Sequence, residues 1–215
     1  NLFVKRSFMI PCQELSSSLL SEISQLKGVA IPSQKADVGD VYLQHRVLGV
    51  DLHSHYDAFF QSNLCLTPVL IENIKTALAG EELGEIMDLY CGSGIFSMLT
   101  GDRDAKIIGV DNNKKAVESA RMNARRLGFK NAEFTCASVE KFIEKTDPGL
   151  PGLVFVDPPR SGSSPAEISE IAKKGIRKIC LISCYLETYV RDLIQWQQEG
   201  FDAKSFAALD MFPFT

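Results

Sequence analysis

No two of the six cysteines are spaced as C-x-x-C. Cys12, Cys65, Cys91, Cys136, Cys180 and Cys184 are scattered along the chain, so the sequence holds no ligand set for a structural zinc or an iron–sulfur cluster. Several sit in apolar, strand-like runs, where a reduced thiol packs as a small hydrophobe, and a reducing, cytoplasmic compartment is expected. Histidine is scarce: His53 and His55 alternate like ligands on a strand, but no third ligand stands nearby, and no metal is expected. No run of roughly 18 apolar residues is present to cross a bilayer, nor any secretory leader pattern, internal repeat or low-complexity tract. Neither sign of charge dominates. With 23 Lys and Arg against 27 Asp and Glu, the net charge is −4, and bulk charge carries no nucleic-acid footprint, although a basic patch can sit on an acidic protein.

What is present is a chain of 215 residues, 45% of them hydrophobic, enough for one domain plus an appended segment. Residues 1–62 show no single strong period. Leu2 to Ile10 reads as a strand. Leu19, Leu20, Ile23 and Leu26 recur at helical spacing with Gly28 as a stop, and Val41 to Leu52 reads as paired strands. This stretch is expected to be a small α+β segment linking to an upstream module. From residue 63 the pattern becomes regular. Helices are predicted over 66–79, 95–100, 114–127, 138–145, 165–174 and 187–198. Strands are predicted over 85–90, 106–110, 132–135, 153–156 and 178–183. Short apolar strands alternating with helices predict an α/β fold with a doubly wound, mostly parallel sheet. The chain begins at Asn1 without Met and stops at Thr215 straight after a hydrophobic run, so 63–215 reads as a domain cut short in a longer protein.

Four motifs fall at predicted strand ends, where ligands of open parallel sheets bind. In Asp88-Leu89-Tyr90-Cys91-Gly92-Ser93-Gly94, the glycines let a ligand approach the backbone closely; an ordinary strand–helix turn is the plainer alternative. Asp111 ends the next strand, roughly twenty residues on, where an acid can accept hydrogen bonds from both hydroxyls of a ribose. Capping the following helix is its other option. The turn lacks the third, helix-packing glycine of the dinucleotide fingerprint, which favours S-adenosylmethionine (SAM) over NAD. In Asp157-Pro158-Pro159-Arg160 the two prolines stiffen the loop and pin the acid. Cys184 closes the last strand, where 180, 182 and 184 share a face; a core cysteine is the alternative role.

Taken together, D-L-Y-C-G-x-G-x-F, G-V-D, D-P-P-R-x-G and I-S-C-x-x-x-T-x-x-R-D-L resemble the RNA uracil-5-methyltransferase family, SAM-dependent enzymes with a Rossmann-like (class I methyltransferase) fold. Phe59-Phe60-Gln61-Ser62-Asn63 and Asp210-Met211-Phe212-Pro213 extend the resemblance from about residue 48 to the last residue. It implies methyl transfer to carbon 5 of a uridine in transfer or ribosomal RNA, by a monomeric enzyme, giving 5-methyluridine. Cys184 would be the catalytic nucleophile. Gln61, Tyr90, Gly92, Gly94, Asp111 and Asp157 would hold the cofactor, and Gln61, Asp157 and Arg160 the target base, with Arg160 a source of positive charge beside the thiol. The family continues past F-P-x-T with a glutamate that serves as general base, so a chain ending at Thr215 is expected to be slowed roughly 100- to 10,000-fold. Three departures from the family stand out: Ile95 for Asn, Ser138 for an acid, and Tyr185-Leu186 for Asn-Pro. Two further readings of the motifs are a SAM enzyme with a different substrate and a non-catalytic RNA-binding paralogue.

Overall fold

The computed structural model describes residues 12–25, 27–31, 36–147 and 152–212. Helix α1 (Cys12–Glu22) precedes two antiparallel ribbons, β1 (Gly28–Ile31) with β2 (Ala36–Gly39), and β3 (Tyr42–Val47) with β4 (Val50–His55). Gly28, expected to stop a helix, opens β1 instead, and the expected strand over 2–10 and Leu26 lie outside the described residues. The β3–β4 turn is the two residues Leu48 and Gly49, both left-handed, with φ of 50° and 77°. Such mirror-image turns match the twist of a hairpin. Glycine adopts that conformation freely; a leucine does so at a cost.

The body follows as α2 (Thr67–Ala77), β5 (Glu85–Leu89), α3 (Ile95–Thr100), β6 (Lys106–Asp111), α4 (Lys114–Leu127), β7 (Ala132–Cys136), α5 (Val139–Glu144), β8 (Leu153–Val156), α6 (Pro165–Ala172), β9 (Ile179–Leu181) and α7 (Leu186–Gln198). The five strands form one wholly parallel sheet in the order β7-β6-β5-β8-β9. Successive strands first step to one side of β5 and then to the other. The switch point lies at β5, where the loops leaving β5 and β8 part and leave a crevice.

Alternation along the strands builds a core on each face. Ile86, Ile107 and Phe155 pack against Ile71 and Ile74 of α2, Phe96 of α3 and Val117, Ala120 and Ala124 of α4. Met87, Leu89, Val110, Val154 and Val156 pack against Val139 and Ile143 of α5, Ile168 and Ile171 of α6 and Trp196 of α7. Each fully buried aliphatic side chain contributes on the order of 1.5–3 kcal/mol, which anchors the strand ends that carry the motifs. Helix α4 is fixed at both ends. Asn113 Oδ1 accepts from the amides of Lys115 and Ala116, and Gly128, at φ 80°, closes the last turn, as a left-handed glycine commonly does.

The β3–β4 ribbon docks on α4 by polar contacts. The amide side chain of Asn123 treats β4 as a neighbouring strand would: Oδ1 accepts from His53 N at 2.8 Å and Nδ2 donates to His53 O at 2.9 Å. The Ser119 hydroxyl accepts from His55 N at 3.0 Å. His53 and His55 thus hold the ribbon through their backbones, and the described residues contain no cluster of three or more metal-ligating side chains. No helix among them is long and apolar enough to cross a membrane.

Candidate active site

The chain leaves β5 into a turn of three left-handed residues, Tyr90 (φ 61°), Gly92 (φ 54°) and Gly94 (φ 79°). The two glycines do different work. A Cβ on Gly94 would lie 2.3 Å from the terminal methyl of Met98, so this position is closed by packing. A Cβ on Gly92 would meet only Phe59 O, at 4.0 Å, so the space above Gly92 is open to a ligand. Asn123 Nδ2 also donates to Ser93 O at 3.1 Å, tying the turn to the helix that carries the ribbon.

Three carboxylates surround this turn. Asp88 is fully buried; Ser97 Oγ donates to its Oδ2 at 2.5 Å, while its Oδ1 is buried with no partner. Burial pushes the Asp88 carboxyl up to about 6, against the pull of the Ser97 hydrogen bonds. Asp111 accepts from Gly92 N on Oδ2 (2.9 Å) and from Asn113 N on Oδ1 (2.8 Å). Helix α4 is therefore capped by Asn113, not by Asp111, whose two oxygens each keep a free lone pair. Asp157 follows β8, and its amide extends the ladder to Leu89 O at 3.4 Å. Burial pushes its carboxyl up to about 7, with Asp88 and Asp111 adding to the rise. None of the three has an ion-pair partner among the described residues.

Beside the turn, a cavity of about 210 Å³ opens beyond β5, β6 and β7, lined by Tyr90, Asn112, Ser138, Val139, Glu140 and Glu167. The Tyr90 hydroxyl donates to Glu167 Oε1 at 2.7 Å. Burial raises both the Tyr90 phenol and the Glu167 carboxyl above their ordinary values, so the phenol keeps its proton and its bond. Ser138 is occupied as the cap of α5, accepting from Lys141 N.

The remaining predicted residues lie on neighbouring loops. Gln61 is half-buried in the segment from β4 to α2, next to Phe60, which stacks on His45 at 3.8 Å. Asn63 Oδ1 accepts from Cys65 N and Leu66 N in the turn ahead of α2, and its Nδ2 donates to Met211 O at 3.0 Å, joining two distant motifs. The strand expected to reach Ser183 ends at Leu181. Beyond it Ser183 Oγ accepts from Tyr185 N, and Cys184 is exposed in that bend. Cys180, the second residue of β9, is half-buried, and burial, with Asp157 beside it, pushes its thiol up to about 12. Arg160 is exposed and close to Tyr185, whose phenol is raised by its hydrogen bond with Glu187 against the opposing charge of Arg160.

Sequence reasoning assigned no role to Arg191, Asp192 and Gly162. Arg191 Nη2 donates to Ser161 O at 2.8 Å and Ser163 O at 3.0 Å, and Asp192 Oδ2 accepts from Ser163 N at 2.8 Å. Gly162, at φ 71°, passes so close that a Cβ would lie 2.3 Å from Arg191 Nη2. These residues clamp the loop that carries Asp157. On a helix an Arg-Asp pair reads as solvated surface, so only the spacing R-D-L within the motif marked it.

A parallel sheet switching direction at β5, a glycine turn and acids at three strand ends is the arrangement of a methyltransferase domain. A family model described as a methyltransferase domain matches residues 81–149. A crystal structure of the Pyrococcus abyssi tRNA (uracil-54, C5)-methyltransferase in complex with S-adenosyl-L-homocysteine superposes with a TM-score of 0.69 at 30% identity, covering 82% of this chain and 42% of that one. A SAM-dependent methyltransferase from Agrobacterium tumefaciens shares the fold at a TM-score of 0.57 and 13% identity, covering 82% of this chain and 66% of that one. The chain thus has the fold of SAM-dependent methyltransferases, with a methyltransferase domain over residues 81–149.

In sequence it is similar to bacterial proteins named as uncharacterized RNA methyltransferases. The one from Caldanaerobacter subterraneus is 32% identical over 86% of this chain and 42% of its own length. That of Thermotoga maritima is 37% identical over 74% of this chain and 36% of its own. The chain thus spans less than half the length of these relatives.

Proposed function

We propose that this chain transfers the methyl group of SAM to carbon 5 of a uridine in RNA, through a transient covalent bond to Cys184. One arrangement carries the reading. Cys184 is exposed on the loop leaving β9, in the same row of strand-end loops as the glycine turn, Asp111 and Asp157, whereas Cys180 is half-buried within the strand.

The residues fit the cofactor. Three acids without basic partners suit a cationic ligand, and the unpartnered Oδ1 of Asp88 is an acceptor awaiting a donor. Asp111 would take the ribose hydroxyls on its free lone pairs, and the cavity beside Tyr90 would take the adenine. When bound, SAM supplies an electrophilic methyl group on a sulfonium. Gln61 and Asp157 would orient the uracil ring against it, which converts an encounter into an aligned reaction.

Carbon 5 of uracil is a weak nucleophile. Addition of the Cys184 thiolate to carbon 6 forms a C–S bond and leaves the electron pair as an enolate, so carbon 5 gains the density to take the methyl group. A base then removes the carbon 5 proton, and those electrons expel the thiolate. Arg160, on the adjoining loop, offers positive charge at this end of the site. A uridine within a fold must first be swung out of its stack, and single-stranded loops present it most readily.

Cys184→Ala is expected to abolish methyl transfer while leaving SAM affinity, measured by calorimetry, within about twofold. RNA carrying 5-fluorouridine should leave wild-type protein as a species stable in denaturing gels, and the variant should form none. Turnover retained by Cys184→Ala would overturn the assignment.

A further inference from the structure

A recess of about 520 Å³ lies at the far end of α4 from the candidate site, between the β3–β4 turn and the C-terminal end of that helix, lined by Gly49, Val50, Asp51, Arg103, Arg126 and Leu127. Arg103 and Arg126 are exposed, and neither guanidinium has a hydrogen-bond or carboxylate partner among the described residues. The acid lining the recess, Asp51, stands 3.9 Å from Arg46, on the opposite strand. Two guanidinium forks are thus left uncompensated at one hollow.

The lip of the hollow is unusual in its own right. Leu48 holds a left-handed backbone (φ 50°) while 37% exposed. An apolar side chain kept in a strained conformation at an exposed tip is a mark of a contact surface. A Cβ on Gly49 would meet nothing within 4 Å, so the backbone there is open to a close-lying ligand.

We infer that this recess binds the phosphate backbone of the RNA on which the proposed reaction is carried out. The inference rests on that RNA reading. Planar guanidinium groups match phosphate oxygens two at a time, and two of them without partners carry no desolvation debt to a resident carboxylate. Helix α4 has 14 residues, so at its rise the recess lies about 20 Å from the Asp111 end. An RNA with its target nucleotide at the sheet crevice would lie along the ribbon and reach the recess several phosphates away. Such contacts set register and orientation, not sequence preference.

The test is the salt dependence of binding of a uridine-containing RNA hairpin, by fluorescence anisotropy, to wild type and to the double variant Arg103→Gln/Arg126→Gln. The slope of log affinity against log salt should fall by about 1.5 in the variant, as for two lost phosphate contacts. SAM affinity and the melting temperature should be unchanged, since both side chains are exposed and unbonded. Inorganic phosphate at matched ionic strength serves as competitor. A hollow that takes only a free anion would bind phosphate yet leave the RNA slope equal in the two proteins, which overturns the inference. Equal slopes without phosphate binding overturn it as well. Wild type that binds no RNA at any salt removes the RNA reading and this inference with it, whereas equal slopes with tight binding remove the inference alone.

Discussion

Asp157 is the residue whose charge the site leaves most open. Its carboxyl is pushed up to about 7 and that of Asp88 to about 6, against an ordinary 3.8, because burial disfavours the charged form. The protonated acid is therefore the favoured form in the folded chain. The associated stability is complete below pH 3.8 and is lost as pH climbs through about 6 and then about 7. The melting temperature without cofactor is expected to fall as pH rises from 5 to 8, and Asp157→Asn should flatten the upper half of that fall. A cationic cofactor prefers the ionised pair, so SAM should bind more tightly at pH 7.5 than at pH 5.5 in wild type. Calorimetry at both pH values checks this, and a pH-independent affinity contradicts it.

At the scale of elements, the clamp from α7 makes the loop after β8 rigid. Asp192, 2% exposed, holds Ser163 N and orients Arg191. Asp192→Ala strands both partners and should cost on the order of 2–3 kcal/mol, since an unsatisfied buried donor loses its full desolvation energy. Gly162→Ala meets both a positive φ and the Arg191 side chain, and should cost a similar amount by thermal unfolding. Because the same loop carries Asp157, either change should also weaken SAM binding, whereas a cavity variant at the opposite end of the sheet, such as Ile107→Val near the start of β6, should lower stability alone.

Elements in the parallel body were legible because their signals were redundant. The apolar stripe and closing Gly128 of α4 gave bounds of 114–127, as observed, and the continuous apolar run Leu153–Val156 could only be a strand buried on both faces. The last strand was legible in position but not in length. Ile182 and Ser183 are apolar or small enough to continue it, but Ser183 bends the chain with its own hydroxyl, and the alternation expected to carry 180 through 184 stops at Leu181. Of the candidate site, the strand-end residues were visible as motifs. Ser97 beneath Asp88, Glu167 behind Tyr90 and the Asn63–Met211 tether were not, because each depends on which distant helix or segment arrives there.

For the molecule as a whole, the β3–β4 ribbon and the parallel sheet are joined through one helix face, with Val47 and Leu52 buried against it and Asn123 at its centre. Asn123→Ala leaves His53 N, His53 O and Ser93 O each without a bond and should cost on the order of 3 kcal/mol in chemical denaturation. Loss of the ribbon alone, with the sheet still folded, would appear as a second unfolding transition.

The same amide grips both the ribbon and the turn beneath the cofactor, so neither can breathe independently of the other. Hydrogen exchange at His53 should therefore slow when the crevice is filled, and any ligand that steadies the ribbon should, by reciprocity, raise the affinity for the cofactor. One buried asparagine thus makes the ribbon a reporter on the crevice.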